Sequence, residues 1–267
     1  EDQADRFLKA EITPHIDKWH EDKFYPREVW TKTGQAGLLC AMIPEEYGGA
    51  GGSFGHEAVI NRAYSLAGFD SFGAPLHSGI VAPYIWRFGT EEQKKRWLPK
   101  LASGELVGAI AMSEPGTGSD LQSVRTTAVK KGNRYVLNGS KTFITNGQHA
   151  NLIVVVAKTD PKEKAKGVSL MVVETGDAPG FRRGRQLKKL GMDSADTSEL
   201  FFDDVSLPTE NLLGPEEGQG FYQLMKELPQ ERMIVAVHAC AMMERAVALT
   251  IDYVKQRTAF GRKIIEF

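Results

Sequence analysis

The chain has 267 residues, 42% of them hydrophobic, and its 33 basic side chains are nearly balanced by 34 acidic ones. This is enough apolar material for one large or two smaller cores. The formal net charge of -1 creates no overall field that would attract nucleic acid or an anionic membrane. The two cysteines form no disulfide framework and suit a reducing compartment. We expect Cys40 and Cys240 to be small core residues.

Apolar side chains recur at helical spacing through the first hundred residues. The first such series is Phe7, Leu8, Ile12, Ile16 and Trp19. Farther along, Thr90 and Gln93 form a capping-box pattern, which predicts a helix over EEQKKRWLPKL that ends at Gly104. These patterns predict a helical domain over residues 1–106.

After Leu106 the chain changes to short runs rich in β-branched and aromatic residues, separated by turn residues. The runs are LVGAIAM, RYVLNG, KTFITNG, NLIVVVAK, VSLMVVE and ELFFDDVSL. They predict an antiparallel sheet or barrel over residues 107–212, so the fold class of the chain is α+β. The longest apolar run of this kind, Leu152 to Ala157, is far shorter than the roughly 20 residues of a membrane span, and we expect no such span.

Helical periodicity returns after Gly220 and continues at least to Lys255, with Pro229 as its only interruption. The stretch from Met233 to Ala248 is so densely apolar that it predicts a helix buried on most sides by partner helices. We therefore interpret residues 213–267 as the incomplete start of a carboxy-terminal helical bundle, with the chain truncated inside it.

The segment GAIAMSEPGTGSD, from Gly108 to Asp120, is an apolar run that breaks into a turn of small residues. Gly116 and Gly118 would permit positive φ angles and a close approach by a flat or anionic ligand. The segment is not a Rossmann dinucleotide loop, because Leu121 stands where the third Gly or Ala belongs and β structure follows. Composition alone favours a generic polar turn.

Five phrases, in order and spacing, resemble those of the acyl-CoA dehydrogenase family. They are HSGIVAPYIWRFGTEEQKKRWLPKLASGE, GAIAMSEPGTGSD, YVLNGSKTFITNG, LGMDSADTSELFFDDVSLP and YVKQRTAFGRKI. The resemblance covers essentially the whole chain and implies FAD as cofactor and acyl-CoA as substrate, which is oxidised to trans-2-enoyl-CoA in fatty-acid β-oxidation. It further implies an electron-transfer flavoprotein as electron acceptor, a homotetramer, and a location in the mitochondrial matrix or the bacterial cytoplasm.

The resemblance also implies a set of flavin-binding residues. Met112 and Ser113 would lie along the isoalloxazine ring, Phe143 to Thr145 would flank its other end, and Arg257 and Phe260 would reach the FAD of a neighbouring subunit. The implied set is Ile110, Ala111, Met112, Ser113, Gly118, Ser119, Phe143, Ile144, Thr145, Arg257 and Phe260. Without the resemblance, Phe143 is interpreted as a core aromatic on a strand, and Arg257 as a solvated helix residue.

The same resemblance implies a position for the catalytic base. Most family members place this Glu beyond Phe267, whereas the long-chain and isovaleryl types place it immediately before an Arg on the first long helix of the last domain. In KELPQERMIV, Glu231 precedes Arg232, so Glu231 would take the α-proton while the β-hydrogen leaves as hydride to flavin N5. The implied substrate contacts are Ser119, Tyr222, Pro229, Gln230 and Arg232.

From the residues alone, Glu231 has a less specific interpretation. Pro229 is expected in the first turn of a helix, which would place Glu231 near the helix start. An apolar wall from Met233 onward would raise the pKa of its carboxyl, and the helix amino terminus would oppose that rise. An ordinary first-turn Glu therefore stays open as an alternative, and Glu227 is the local competitor for the role of base.

Other chemistries receive no support from the sequence. The six histidines have no metal-ligand spacing, and Ser119 lacks a nucleophile elbow, so we expect neither a metal site nor a hydrolase. The prediction is an FAD-dependent acyl-CoA dehydrogenase of the long-chain type. The alternatives are an isovaleryl or branched short-chain dehydrogenase, an acyl-CoA oxidase, and a catalytically silent scaffold that binds flavin or acyl-CoA.

Overall fold

The structure is a computed structural model that describes every residue from Glu1 to Phe267. Its first part is helical, as predicted. The helices are α1 (Asp2–Phe7), α2 (Ile16–Asp22), α3 (Glu28–Gln35), α4 (Phe54–Ala67), α5 (Ala74–Leu76), α6 (Ala82–Phe88) and α7 (Glu91–Ala102). A π-helical turn at His77–Val81 joins α5 to α6, so residues 74–88 form one helical segment.

The predicted capping box is present at the start of α7. The hydroxyl oxygen of Thr90 accepts the backbone N–H of Gln93 at 3.3 Å, and the side-chain oxygen of Gln93 accepts the backbone N–H of Thr90 at 2.9 Å. The helix ends at Ala102, and Gly104 follows with a φ of 74°, a left-handed angle that suits glycine.

Seven strands form one curled sheet in the middle of the chain. They are β1 (Gly108–Ala111), β2 (Thr127–Lys131), β3 (Arg134–Ile144), β4 (Leu152–Lys158), β5 (Val168–Glu174), β6 (Phe181–Gln186) and β7 (Ser198–Pro208). The order is β1-β4-β2-β3-β7-β6, with β5 also paired to β4. The α+β class is thus confirmed; most pairings are antiparallel, but β4 runs parallel to β1 and to β2.

Strand β4 is buried on both faces. Its side chains alternate between the helical layer on one face and the interior of the curled sheet on the other, as the two-residue period of a strand requires. Leu152, Val154 and Val156 belong to the core that contains the helices, and Ile153, Val155 and Ala157 to the core inside the sheet. Strand β5 divides its side chains between the two cores in the same way, so both strands join the helical layer to the sheet and the apolar core continues across residue 106.

The long helix α8 (Gly220–Gln256) contains Pro229 in its interior. The expectation that Pro229 lies in the first turn is therefore wrong. A proline removes one backbone N–H donor, but Leu224 and Glu227 before it and Ile234 after it are buried, so tertiary packing holds the helix continuous. Glu231 consequently lies about three turns from the helix start, where the helix dipole has little effect on its carboxyl.

The second half of α8 packs on little else in this chain. Its 18-residue window of highest hydropathy has a mean of 1.6, long and apolar enough for a membrane span by composition, but only 11% of that window is buried. Helix α4 packs on one side of the stretch from Met233 to Ala248, and most of its other side chains are exposed, so the expected burial on most sides is not observed in this chain. Cys40 is buried as predicted, but the same prediction is wrong for Cys240, which is exposed. A two-stranded hairpin, β8 (Thr258–Ala259) and β9 (Arg262–Lys263), follows α8.

Candidate functional site

A buried ion pair organises the turn that follows β1. The ammonium nitrogen of Lys141 lies 2.9 Å from a carboxylate oxygen of Glu114, and it donates a second hydrogen bond of 2.9 Å to the carbonyl of Met112. The carboxylate of Glu114 also accepts the backbone N–H groups of Arg125 at 2.7 Å and Thr126 at 3.0 Å. Every polar side-chain atom of this pair thus has a hydrogen-bond partner, and the pair holds the turn in place.

The two partners of this ion pair have shifted pKa values. Burial lowers the pKa of Lys141 to about 8, and the charge of Glu114 opposes that shift. Burial raises the pKa of Glu114, but Lys141 and the two backbone amides outweigh burial, so the net pKa lies below its usual value. Glu114 is therefore ionised at neutral pH and serves as a structural anion.

Several of the predicted flavin contacts on this turn and at the end of β3 have accessible side chains. The backbone N–H of Thr142 donates to the carbonyl of Ser113 at 3.0 Å, which joins the turn to β3. The next residue, Phe143, is 69% exposed and has a φ of 60°, an uncommon angle for a bulky side chain. The interpretation of Phe143 as a core aromatic is therefore wrong. Met112 and Ser113 on the turn, and Thr145 just after β3, are partly exposed.

The remaining predicted flavin contacts in this region divide into two groups. Ile110, Ala111 and Ile144 are buried in the two cores, so their side chains face away from any ligand on the outer side. Gly118 and Ser119 are exposed. Neither Gly116 nor Gly118 has a positive φ, and a Cβ on either would meet nothing within 4 Å. The positive φ angles that these glycines would permit are thus not adopted, whereas the open space beside both agrees with the expected access for a ligand.

Arg257 and Phe260 lie beyond the far end of α8. Phe260 is 95% exposed in the hairpin, and Arg257 is also exposed. At a rise of about 1.5 Å per residue, Arg257 lies about 39 Å along the helix axis from Glu231. The chain brings neither residue to the turn after β1.

The two candidate bases on α8 differ sharply in their surroundings. Glu227 is fully buried, and the guanidinium of Arg87 donates to its two oxygens at 2.9 and 2.7 Å. The same guanidinium donates to the side-chain oxygen of Gln230 at 2.9 Å. These two contacts from one guanidinium nitrogen hold the carboxylate in one position. Glu227 is therefore a structural anion and not a free base.

Glu231, one turn later, has a single partner. The hydroxyl of Tyr84 donates to Oε1 of Glu231 at 2.7 Å, and Oε2 accepts no hydrogen bond from this chain. Burial raises the pKa of the carboxyl; the Tyr84 hydrogen bond lowers it, nearby Glu227 raises it, and Arg232 lowers it, with a net rise. Glu231 thus combines a free oxygen with a raised pKa, two properties of a general base.

The other predicted substrate contacts on α8 are dispersed around the helix. Gln230 is held inward, because its amide donates to the carbonyl of Gly79 at 2.7 Å. Tyr222, Pro229 and Arg232 are exposed. At about 100° per residue, Tyr222 and Pro229 project from nearly the opposite side of α8 to Glu231. This chain therefore does not gather them around Glu231, and Ser119 is on the separate turn.

One helical segment, residues 74–88, connects the turn to Glu231. This connecting role was not predicted from the sequence. In residues 74–88, His77 accepts the backbone N–H of Gly108, the first residue of β1, at 2.9 Å. Three residues of the same segment, Gly79, Tyr84 and Arg87, contact α8. A Cβ on Gly79 would lie 2.7 Å from Cδ1 of Ile234, so the segment approaches α8 closely at this position. Tyr84 lies in a phrase that carried the resemblance, but no local pattern marks it.

A helical layer on a curled sheet, followed by a long helix with a half-buried carboxylate, is the architecture of acyl-CoA dehydrogenases. A crystal structure of an acyl-CoA dehydrogenase from Geobacillus kaustophilus is similar with a TM-score of 0.95 and 52% identity, covering 98% of this chain and 69% of that one. Three family profiles match: the acyl-CoA dehydrogenase N-terminal domain over residues 1–105, the middle domain over 109–205 and the C-terminal domain over 218–267. The chain belongs to the acyl-CoA dehydrogenase family.

Curated relatives agree with this membership. The mitochondrial long-chain specific acyl-CoA dehydrogenase of Mus musculus is 47% identical over 97% of this chain. The mitochondrial isovaleryl-CoA dehydrogenase of Solanum tuberosum is 41% identical over 98% of it. The chain spans 60% and 64% of the lengths of these two relatives. Members of the family use FAD. Because the C-terminal domain profile includes α8, we assign this helix to that domain and not to a membrane span.

Proposed function

We propose that the protein to which this chain belongs dehydrogenates acyl-CoA thioesters between Cα and Cβ, giving trans-2-enoyl-CoA, with Glu231 as the base. The observation that carries the proposal is the contrast between the two acids on α8. Glu227 is locked by Arg87, whereas Glu231 keeps one oxygen without a partner and has a raised pKa. Only Glu231 is available to accept a proton.

The residues on the outer side of the turn after β1 fit a flat, partly apolar cofactor such as FAD. Phe143 offers an exposed aromatic ring, Met112, Ser113 and Thr145 are partly exposed, and no atom of the chain fills the space beside Gly118. We assign these residues to the flavin, with backbone groups of Ile110, Ala111 and Ile144 as the remaining contacts and Ser119 at the border with substrate. Bound FAD supplies a hydride acceptor for the β-hydrogen.

Glu231 would take the α-proton on Oε2 while Oε1 stays bonded to Tyr84. The raised pKa makes the carboxylate a stronger base than an exposed Glu. The buried segment 74–88 contacts both β1 and α8 and so fixes the distance between the turn and Glu231. Such fixed geometry contributes to catalysis, because substrate and base are held close together in the orientation that the reaction needs.

For the substrate we propose a long acyl chain, on the 47% identity to the long-chain specific relative against 41% to the isovaleryl relative. Gln230 and the exposed residues Ser119, Tyr222, Pro229 and Arg232 are proposed contacts of the acyl-CoA, with Arg232 attracting its negative charges. Turnover measured across thioesters of increasing chain length tests the choice. A maximum with isovaleryl-CoA or another branched short chain would favour the alternative.

The proposed electron acceptor is an electron-transfer flavoprotein, and the proposed assembly is a homotetramer. Arg257 and Phe260 are exposed at the far end of α8, as expected for residues that contact the FAD of a neighbouring subunit. The mouse relative is mitochondrial and the Geobacillus protein is bacterial, so a mitochondrial matrix and a bacterial cytoplasmic location are both consistent with the relatives.

The test is the Glu231→Gln variant of the complete protein, mixed anaerobically with a long-chain acyl-CoA. We expect the variant to bind FAD and to bleach the flavin roughly 10²- to 10⁴-fold more slowly than wild type, which is the range for loss of a general base. Glu244→Gln, at an exposed carboxylate on the same helix, is the matched control and should bleach normally.

Three results would contradict the proposal. Normal bleaching by Glu231→Gln would exclude Glu231 as the base. A colourless wild-type protein that does not respond to acyl-CoA would indicate a silent scaffold. Stoichiometric hydrogen peroxide from the reduced enzyme in air, without an electron-transfer flavoprotein, would indicate an oxidase.

A further inference from the structure

Tyr84 is a fully buried tyrosine whose hydroxyl has one partner, Oε1 of Glu231, at 2.7 Å. Its ring packs in the helical core together with Leu224 of α8 and lies 6.0 Å from the ring of Phe88. The side chain is therefore held by packing, and its hydroxyl is directed at the carboxylate. This contact joins residues 147 positions apart in the sequence.

The hydroxyl can act only as a donor to an ionised Glu231. Burial raises the pKa of Tyr84 far above its ordinary value, and the negative charge of Glu231 raises it further, so the phenol stays protonated at every working pH. A donor of this kind stabilises the carboxylate over the neutral acid. It also fixes which oxygen is occupied and which is free.

Few other charged groups face Glu231. On α8 itself, Glu227 disfavours the ionised carboxylate and Arg232 favours it. From the facing segment 74–88, Tyr84 is the direct partner, and Arg87 is engaged by Glu227 and Gln230. Because Arg232 is exposed and screened by solvent, Tyr84 is the main group that offsets burial.

We propose that Tyr84 is a positioning residue for the base: its hydroxyl holds Oε1 of Glu231 and keeps the carboxylate ionised, so that Oε2 takes the α-proton. This inference rests on the proposed function of Glu231. When the Cα–H bond breaks, the proton binds Oε2 and the carboxyl becomes neutral. The Tyr84 hydrogen bond to Oε1 can persist through this change, because the carbonyl oxygen of a neutral carboxyl is still an acceptor.

The test is the Tyr84→Phe variant of the complete holoenzyme, with kcat/KM measured as a function of pH. We expect the acid limb of the profile to move to higher pH by about one unit, the size expected for loss of a hydrogen bond to a charged group. Well below that limb the rate should fall about tenfold, and above it the rate should approach that of wild type. Flavin content should be unchanged.

Tyr47→Phe is the matched control, because the Tyr47 hydroxyl also donates to a carboxylate, that of Glu91, at 2.7 Å but away from α8. It should leave the limb in place. An equal loss of rate at every pH in Tyr84→Phe, or an unmoved limb, would overturn the inference. If Tyr84→Phe fails to fold, 3-fluorotyrosine at position 84 replaces it; a stronger donor should move the limb to lower pH, and no movement would again overturn the inference.

The two proposals fail in different ways. If Glu231→Gln bleaches the flavin normally, the function proposed for Glu231 is wrong and the role of Tyr84 is wrong with it. If Glu231→Gln is inactive and the acid limb of Tyr84→Phe does not move, only the role of Tyr84 is wrong.

Discussion

The turn after β1 and the middle of α8 both place a carboxylate in a partly or fully buried environment, but the two carboxylates differ in how far their charge is compensated. Glu114 receives Lys141 and two backbone amides, so its charge is fully compensated. Glu231 receives one tyrosine hydroxyl and keeps an oxygen free. A buried carboxylate whose charge is fully compensated holds the backbone in place, whereas one whose charge is only partly compensated is able to react.

The largest stability effect should come from removing the cation of the compensated pair. Lys141→Met leaves the buried carboxylate of Glu114 without its counter-charge, and such a change costs about 3–5 kcal/mol. Urea unfolding at pH 7 measures the loss of free energy of unfolding. Because Lys141 also bonds the carbonyl of Met112, the variant should bind FAD more weakly.

The double variant Glu114→Gln/Lys141→Met checks the cause. The introduced glutamine would keep an acceptor for the backbone amides and carry no charge, so the double variant should recover much of the lost stability. Equal instability of the single and double variants would show that packing, and not an unpaired charge, explains the effect.

A third carboxylate, Glu57, extends the comparison to a buried acid that has no cationic partner. Its side chain accepts the backbone N–H of Met42 at 3.1 Å, and burial, only partly offset by the amides of Met42 and Ala41, raises its pKa to about 7. The unfolded chain ionises this group above about pH 4.5, but the folded chain does so only near pH 7. Wild type should therefore lose stability between these pH values and lose no more from this group above them.

Glu57→Gln should not show this loss. The difference in free energy of unfolding between Glu57→Gln and wild type should increase by about 3 kcal/mol from pH 4.5 to pH 8, at about 1.4 kcal/mol per pKa unit. Denaturant titrations at four or five pH values measure it. A difference independent of pH would mean that Glu57 has the same pKa in the folded and the unfolded chain.

The smallest expected effect concerns the exposed, ligand-facing part of the turn region. Phe143 is strained at a φ of 60° and buries little of its ring. Phe143→Gly removes the strain and Phe143→Ala keeps it, so the glycine variant should be the more stable by about 1 kcal/mol. Thermal unfolding of the flavin-free proteins measures the difference, and both variants should bind FAD more weakly than wild type. A more stable alanine variant would contradict the strain.

Features that depend on neighbours in sequence were predictable. The capping box of Thr90 and Gln93 needs residues only three apart, and the alternation in β4 follows from the strand period. The position of Pro229 was not predictable from local rules, because burial of Leu224 and Ile234 overrides the preference of proline for a first turn. Exposure of Cys240 likewise depends on which helices surround α8.

The candidate site was predictable only through the resemblance. It selected Glu231 and Phe143 as candidates, whereas composition alone would have left one as a first-turn acid and the other as a core aromatic. Tyr84 and Arg87 were missed, because their partners on α8 lie 147 and 140 positions away and no spacing rule relates such residues. The Glu-Arg phrase selects Glu231 through the resemblance, and the tertiary contacts give the physical difference, because Arg87 holds Glu227 whereas only Tyr84 bonds Glu231.

Strand β4 has a consequence for how the molecule comes apart. Because one face of β4 completes the helical core and the other completes the sheet core, neither core can open without exposing the same strand. We expect helices and sheet to melt in a single cooperative transition, with the amide hydrogens of β4 among the slowest to exchange with solvent. Dividing the chain near residue 106 would remove from the helical core the side chains that the sheet and α8 contribute, whereas the core inside the sheet lies wholly in the second piece.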